Sequence, residues 1–139
     1  RPDAVILNAS RGGVVDNIAV ANSSHRYYFD VWENEPNIDP IVLEKSVIAT
    51  PHVAGYSAQG KANATAMVIN QIAEYFNLPL TTWYPEDAPR SCAQLISWEE
   101  MCRTIDKYYP ISEESDRLKH HPEHFEAMRN NYLYREEYF

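Results

Sequence analysis

The chain has 139 residues, 45% of them hydrophobic, and carries a net charge of −8 from 12 basic and 20 acidic side chains. That length suits one modest domain, or a part-domain with an appendage, and the hydrophobic share calls for a packed core rather than disorder. An acidic balance with no basic stripe argues against nucleic acid and anionic membranes as partners, and no apolar window reaches a membrane-spanning length.

The chain opens on Arg1-Pro2-Asp3, without an initiator methionine or the apolar stretch of a signal peptide, and reads as a piece of a longer protein. Ala4-Val5-Ile6-Leu7-Asn8 predicts a buried parallel-type strand, stopped by a polar residue and then by Gly12-Gly13 in a tight loop. Asp16-Asn17 can cap a short helix through Ile18-Ala19-Val20-Ala21, and the aromatic run Tyr27-Tyr28-Phe29-Asp30-Val31 predicts a second strand. Pro36 and Pro40 bracket a loop before a third strand, Val47-Ile48-Ala49-Thr50, which halts at Pro51. From Ser57 to Phe76 no proline interrupts, and Ala62, Ala66, Ile69, Ile72, Ala73 and Phe76 keep a helical period. Strand, helix, strand, turn, strand, long helix is the rhythm of an α/β sheet, and each strand's polar residues fall at its C-terminal end, where open parallel sheets place ligands.

Asn77-Leu78-Pro79 closes the long helix, and Pro85 to Pro89 reads as a linker. Beyond it, Ser97 caps a helix that runs from Trp98 toward Tyr109 and ends at Pro110, and a last helix is expected from Pro122 to about Tyr132. Two regions follow, residues 1–84 and 85–139. Cys92 and Cys102 lack metal-ligand spacing and are expected to be small core-filling residues, reduced as in a cytosol. His120, His121 and His124 surround Glu123, but Pro122 breaks the helical spacing, so a polar turn and no metal site is expected there.

Three short stretches carry chemistry. They are Asn8-Ala9-Ser10-Arg11-Gly12-Gly13, Asp30-Val31-Trp32-Glu33-Asn34-Glu35-Pro36, and Thr50-Pro51-His52-Val53-Ala54-Gly55-Tyr56. The guanidinium of Arg11, the carboxylate of Glu35 and the imidazole of His52 are the groups needed to hold an anionic hydroxy acid and move its hydroxyl proton.

In this order the three stretches resemble the NAD-dependent D-2-hydroxyacid dehydrogenases, whose second half carries Asn-x-x-Arg-Gly, Asp-Val-x-x-x-Glu-Pro and Pro-His-x-x-Gly turns. Val14-Val15-Asp16-Asn17, Gly60-Lys61 and Phe125-Glu126-Ala127-Met128-Arg129-Asn130-Asn131-Tyr132-Leu133 are similar to a branch of that family acting on a phosphorylated sugar acid in vitamin B6 synthesis. The resemblance implies an α/β fold: the C-terminal part of a Rossmann-like doubly wound parallel sheet over 1–84, plus a small α+β dimerisation module over 85–139. It implies NAD as cofactor, oxidation of the 2-hydroxyl of a small phosphorylated hydroxy acid, a homodimer, and a cytoplasmic location. The aromatics Tyr108, Tyr109, Tyr132, Tyr134, Tyr138 and Phe139 suit such an association surface.

Carried over by residue, His52 would exchange the hydroxyl proton, Glu35 would fix its tautomer, and Arg11 would clamp the substrate carboxylate. Ala9, Ser10, Arg11, Asp30 and Gly55 would line the cofactor, and Tyr56 would face the phosphorylated substrate, while Lys61 reads as an exposed helix lysine. The sequence departs from the family in two places. Gly12, Gly13, Gly55 and Gly60 are its only glycines, so these residues contain no Gly-x-Gly-x-x-Gly cradle for the pyrophosphate and are expected to be inactive alone. The stretch between Arg11 and Glu35 is shorter than the family's and leaves little room for both a helix and a full strand. Two other readings stand beside this one: another D-2-hydroxyacid dehydrogenase, such as one acting on phosphoglycerate, and a non-catalytic association module.

Overall fold

A computed structural model describes residues 1, 3–90 and 95–137. The expectations for Cys92, Tyr138 and Phe139 therefore lie outside the described residues. Two compact units interleave along the chain: Arg1–Ala54 with Pro110–Tyr132, and Gly55–Tyr109 with Leu133–Phe139.

The first unit is built on three parallel strands, β1 (Val5–Asn8), β2 (Arg26–Phe29) and β3 (Ser46–Ala49), in the order β1-β2-β3. Ile6 pairs with Tyr27 and Asn8 with Phe29, while Tyr28 pairs with Ile48 and Phe29 with Ala49 after a register shift between Tyr27 and Tyr28. Parallel neighbours require crossovers, and here these are short. The first carries α1 (Asn17–Ala21), capped by Asp16 Oδ1, which accepts from Ile18 N at 2.7 Å and Ala19 N at 3.2 Å. A five-residue α1 and a four-residue β2 thus fit into the short stretch between Arg11 and Glu35.

The second crossover carries α2 (Pro40–Lys45), where a turn was expected. Pro40 sits at the start of this helix, where its missing N–H costs no hydrogen bond, and the Asp39 carboxylate caps the turn. The proline begins the helix instead of breaking it.

The core gathers Tyr27 and Phe29 from β2, Val20 from α1, Val42 and Leu43 from α2, Trp32, and Ala49. Leu118 from α5 (Ile111–His120) and Phe125 from α6 (Phe125–Asn130) complete it, 0% and 2% exposed. α5 also covers the outer edge of β3. Ser115 Oγ accepts from Ala49 N at 3.0 Å, and Lys119 Nζ donates to the carbonyls of Ser46 and Val47. Helix cover of this kind satisfies backbone groups that an edge strand leaves open. The opposite edge differs from expectation, since Val5 and Leu7 of β1 are 50% and 71% exposed. β1 is an edge strand with one open face: Val5 and Leu7 are exposed on it, while Ile6 packs against the core and Asn8 is buried.

In the second unit, α3 (Ala58–Tyr75) buries Ala62, Ala66 and Ala73 of the expected stripe, whereas Ile72 and Phe76 are exposed, which corrects their place on a buried face. Ser57 Oγ caps it, accepting from Gly60 N at 2.9 Å and donating to Glu137 Oε1 at 2.7 Å. A Cβ at Gly60 would lie 2.5 Å from that same Ser57 oxygen, so a side chain here would have to displace the hydroxyl. Arg135 forms an isolated parallel bridge with Ser57, its carbonyl accepting from Ala58 N at 2.9 Å. α4 (Trp98–Tyr108), capped by Ser97, ends before Pro110 as expected. Cys102 is exposed, which corrects its assignment to a core. Among the described residues no helix is long and apolar enough to cross a membrane.

Candidate functional site

The first unit brings the C-terminal ends of its three parallel strands together, and the three chemistry-bearing stretches begin there. At the end of β1, buried Asn8 organises the loop that follows. Its Oδ1 accepts from Ser10 N at 3.1 Å and its Nδ2 donates to the Arg11 carbonyl at 3.0 Å. Ala9, Ser10 and Arg11 are exposed. Arg11 Nη1 donates to the Ser10 carbonyl at 2.7 Å, and among the described residues no carboxylate pairs with this guanidinium. Gly12 lets the loop rest against the backbone beyond β2, since a Cβ there would sit 2.0 Å from the Trp32 carbonyl oxygen.

Asp30 follows β2 and is only 7% exposed. Its Oδ1 accepts from Thr50 Oγ1 at 2.7 Å and from Val53 N at 2.8 Å, and its Oδ2 accepts from Ala54 N at 3.1 Å. One carboxylate therefore grips the loop on both sides of His52. Trp32 adds a further tie, its Nε1 donating to the Thr50 carbonyl at 2.9 Å.

Glu35 and His52 meet within this scaffold. Glu35 Oε1 accepts from Trp32 N at 2.8 Å, and Oε2 lies 2.9 Å from His52 Nδ1. Both side chains are partly shielded, 25% exposed for His52 and 21% for Glu35. His52 has φ 59°, in the left-handed region that a residue with a Cβ rarely occupies. Such a conformation persists only where surroundings enforce it, and the Asp30 contacts to Thr50, Val53 and Ala54 supply the enforcement.

Gly55 and Tyr56 belong to the second unit. Gly55 is exposed, with open space where a Cβ would stand. Tyr56 is half-buried and meets Tyr134 edge to face, with ring centroids 5.6 Å apart. Lys61 Nζ lies 4.2 Å above the Tyr56 ring, so this lysine is held by an aromatic face. Arg135 Nη1 donates to the Tyr56 carbonyl at 3.2 Å and stacks 4.2 Å above Tyr109.

Residue types alone passed over Asn8, Trp32 and Thr50, whose work is to hold other groups in place. A signal existed, because each lies inside one of the three stretches that carry Arg11, Glu35 and His52.

Residues 1–54 match the family described as D-isomer specific 2-hydroxyacid dehydrogenase, NAD binding domain. Nearly the whole chain is in turn similar to erythronate-4-phosphate dehydrogenases. It is 41% identical to that of Bacteroides thetaiotaomicron over 138 residues, covering 96% of this chain and 39% of the relative. With that of Bacteroides fragilis it is 42% identical over 142 residues, covering 96% and 39%. With that of Coxiella burnetii it is 35% identical over 146 residues, covering 99% and 40%. The chain thus spans about two fifths of the length of the curated relatives it matches.

Proposed function

We propose that this D-2-hydroxyacid dehydrogenase chain carries the proton-transfer side of an NAD-dependent enzyme that oxidises the 2-hydroxyl of 4-phospho-D-erythronate to a keto group, a step in pyridoxal phosphate synthesis. The observation that carries the reading is the His52–Glu35 pair, held at 2.9 Å, with the loop of exposed Arg11 resting through Gly12 on the backbone of Trp32 and Glu33. The relatives' names supply the substrate.

The residues present fit the cofactor. Ala9 and Ser10 are small and exposed at a parallel strand end, so backbone is open to close approach. Among the described residues Asp30 Oδ2 accepts from Ala54 N, and a carboxylate oxygen has a second lone pair with which to accept from a carboxamide N–H. NAD, when bound, supplies the hydride acceptor.

The remaining work belongs to side chains. Arg11 clamps the substrate carboxylate with two parallel N–H donors, for which its planar fork is suited. His52 donates its Nδ1 proton to Glu35, which leaves Nε2 as the base that takes the 2-hydroxyl proton while hydride departs from C2. Glu35 then balances the imidazolium, so the transferred proton creates no unpaired charge. Gly55 follows His52 by three positions and Tyr56 by four. Their assignment to cofactor and to phosphorylated substrate rests on the resemblance alone.

The test is competitive turnover by the complete protein that contains these residues. Nicotinamide reduction with 4-phosphoerythronate in preference to 3-phosphoglycerate supports the substrate, and the reverse preference moves the protein to another branch of the family. Pairing of two copies through residues 85–139 belongs to the same proposal, and a monomer in sedimentation would overturn that part. The cytoplasm is the matching compartment, where an exposed thiol such as Cys102 stays reduced.

A further inference from the structure

Between α5 and α6 the chain makes a single 3-10 turn, Pro122–His124, closed by a hydrogen bond from His124 N to the His121 carbonyl at 3.0 Å. In such a turn, residues three apart eclipse one another. His121 and His124 consequently stack, with ring centroids 5.4 Å apart and planes 20° from parallel. Pro122, whose break in α-helical spacing argued against a metal site, is the residue that brings these rings together. Glu123 lies between them: its Oε1 is 3.2 Å from His121 Nδ1 and 3.8 Å from His124 Nε2.

We propose that His121, Glu123 and His124 form a surface site for one divalent transition-metal ion of the zinc class. The three ligand atoms all lie within 4.8 Å of one another. Nitrogen and oxygen ligands bound at about 2.0–2.2 Å in a tetrahedral shell stand about 3.4 Å apart. The two Glu123 spacings are close to that, and the two imidazoles must turn from their stacked arrangement to aim their lone pairs at one ion. Two imidazoles and a carboxylate match borderline ions better than calcium or magnesium, which take mostly oxygen ligands. His120 stands outside the group of ligand atoms that lie within 4.8 Å of one another, and its Nδ1 is tied to the Asp116 carbonyl at 2.6 Å. All three ligands are exposed, which leaves the remaining positions of the ion to water.

His121 caps the end of α5 and His124 precedes α6, so a bound ion would cross-link two helices that supply Leu118 and Phe125 to the core. The reading is independent of the dehydrogenase assignment.

Calorimetric titration of ZnCl2 into the untagged, chelator-treated chain tests it, with the melting temperature followed in parallel. One ion per chain and a rise in melting temperature are expected. His121→Ala, Glu123→Gln and His124→Ala should each weaken binding at least about tenfold, whereas His120→Ala leaves it unchanged. Because the ligands are exposed, the variants should match the parent in circular dichroism, which separates lost binding from lost fold. Absence of saturable binding, or weakening by His120→Ala equal to that of the three ligand variants, overturns the site.

Discussion

Thr50 Oγ1 donates to Asp30 Oδ1 over 2.7 Å, joining the residue that follows β2 to the residue that follows β3. Asp30 then accepts from Val53 N and Ala54 N, so the segment that carries His52 is anchored before and after the histidine. The left-handed backbone at His52 depends on those anchors more than on any preference of its own.

Asp30→Asn therefore tests the anchor with minimal change of shape. An asparagine can present one acceptor oxygen but turns an NH2 toward one of the two backbone donors, and a donor facing a donor at a buried site costs about 1–3 kcal/mol. Urea unfolding of the variant is expected to show a loss in that range. A variant as stable as the parent would mean the loop is held by other contacts.

The glycine pair in the β1 loop makes a sharper contrast. Gly12→Ala forces a methyl to within 2.0 Å of a backbone oxygen, whereas Gly13 has nothing within 4 Å. Backbone cannot swing aside as a side chain can, so Gly12→Ala should lose about 1–3 kcal/mol of stability while Gly13→Ala loses none. Thermal melts of the two variants read the difference, and equal melting temperatures would refute the close approach.

Leu118→Ala probes whether α5 is part of the sheet's core or merely lies on it. Leu118 is fully buried in the cluster with Phe29, Ala49 and Phe125, so truncation should cost about 2–5 kcal/mol. A loss below about 0.5 kcal/mol in denaturant unfolding, the range of an ordinary surface substitution, would contradict that packing.

These 139 residues taken alone should bind NAD weakly, because their four glycines form no strand-to-helix pyrophosphate turn. Calorimetry of the isolated chain checks this, and a dissociation constant in the micromolar range would show that the strand ends suffice.

Much of this was legible in the sequence because it rests on short-range pattern. The three apolar runs gave β1, β2 and β3 to within a residue or two, and the spacing of Ala62, Ala66 and Ala73 gave α3. α5 escaped notice because it buries only Ser115 and Leu118 among its ten residues, which leaves almost no apolar period to read. Its charge order was the available signal, with Glu113 and Glu114 in the first turn and Arg117, Lys119 and His120 in the last, complementing the helix dipole. α2 is masked by Pro40, which reads as a break although, after Asp39, it marks a helix start.

At the site, Arg11, Glu35 and His52 stood out by residue type, and Glu35 and His52 prove to be partners across 17 positions of sequence. The scaffold behind them did not stand out. Trp32 and Thr50 act through a backbone amide, a carbonyl and a hydroxyl, and such contacts leave no compositional trace.

The central claim is that His52 exchanges the substrate's hydroxyl proton, and the turnover number of His52→Ala in the complete protein, with saturating NAD and 4-phosphoerythronate, tests it most directly. Loss of a general base predicts a fall of about 10²–10⁴-fold in kcat with a folded enzyme that still binds NAD. A variant that turns over within about threefold of the parent, far inside that range, would contradict the account.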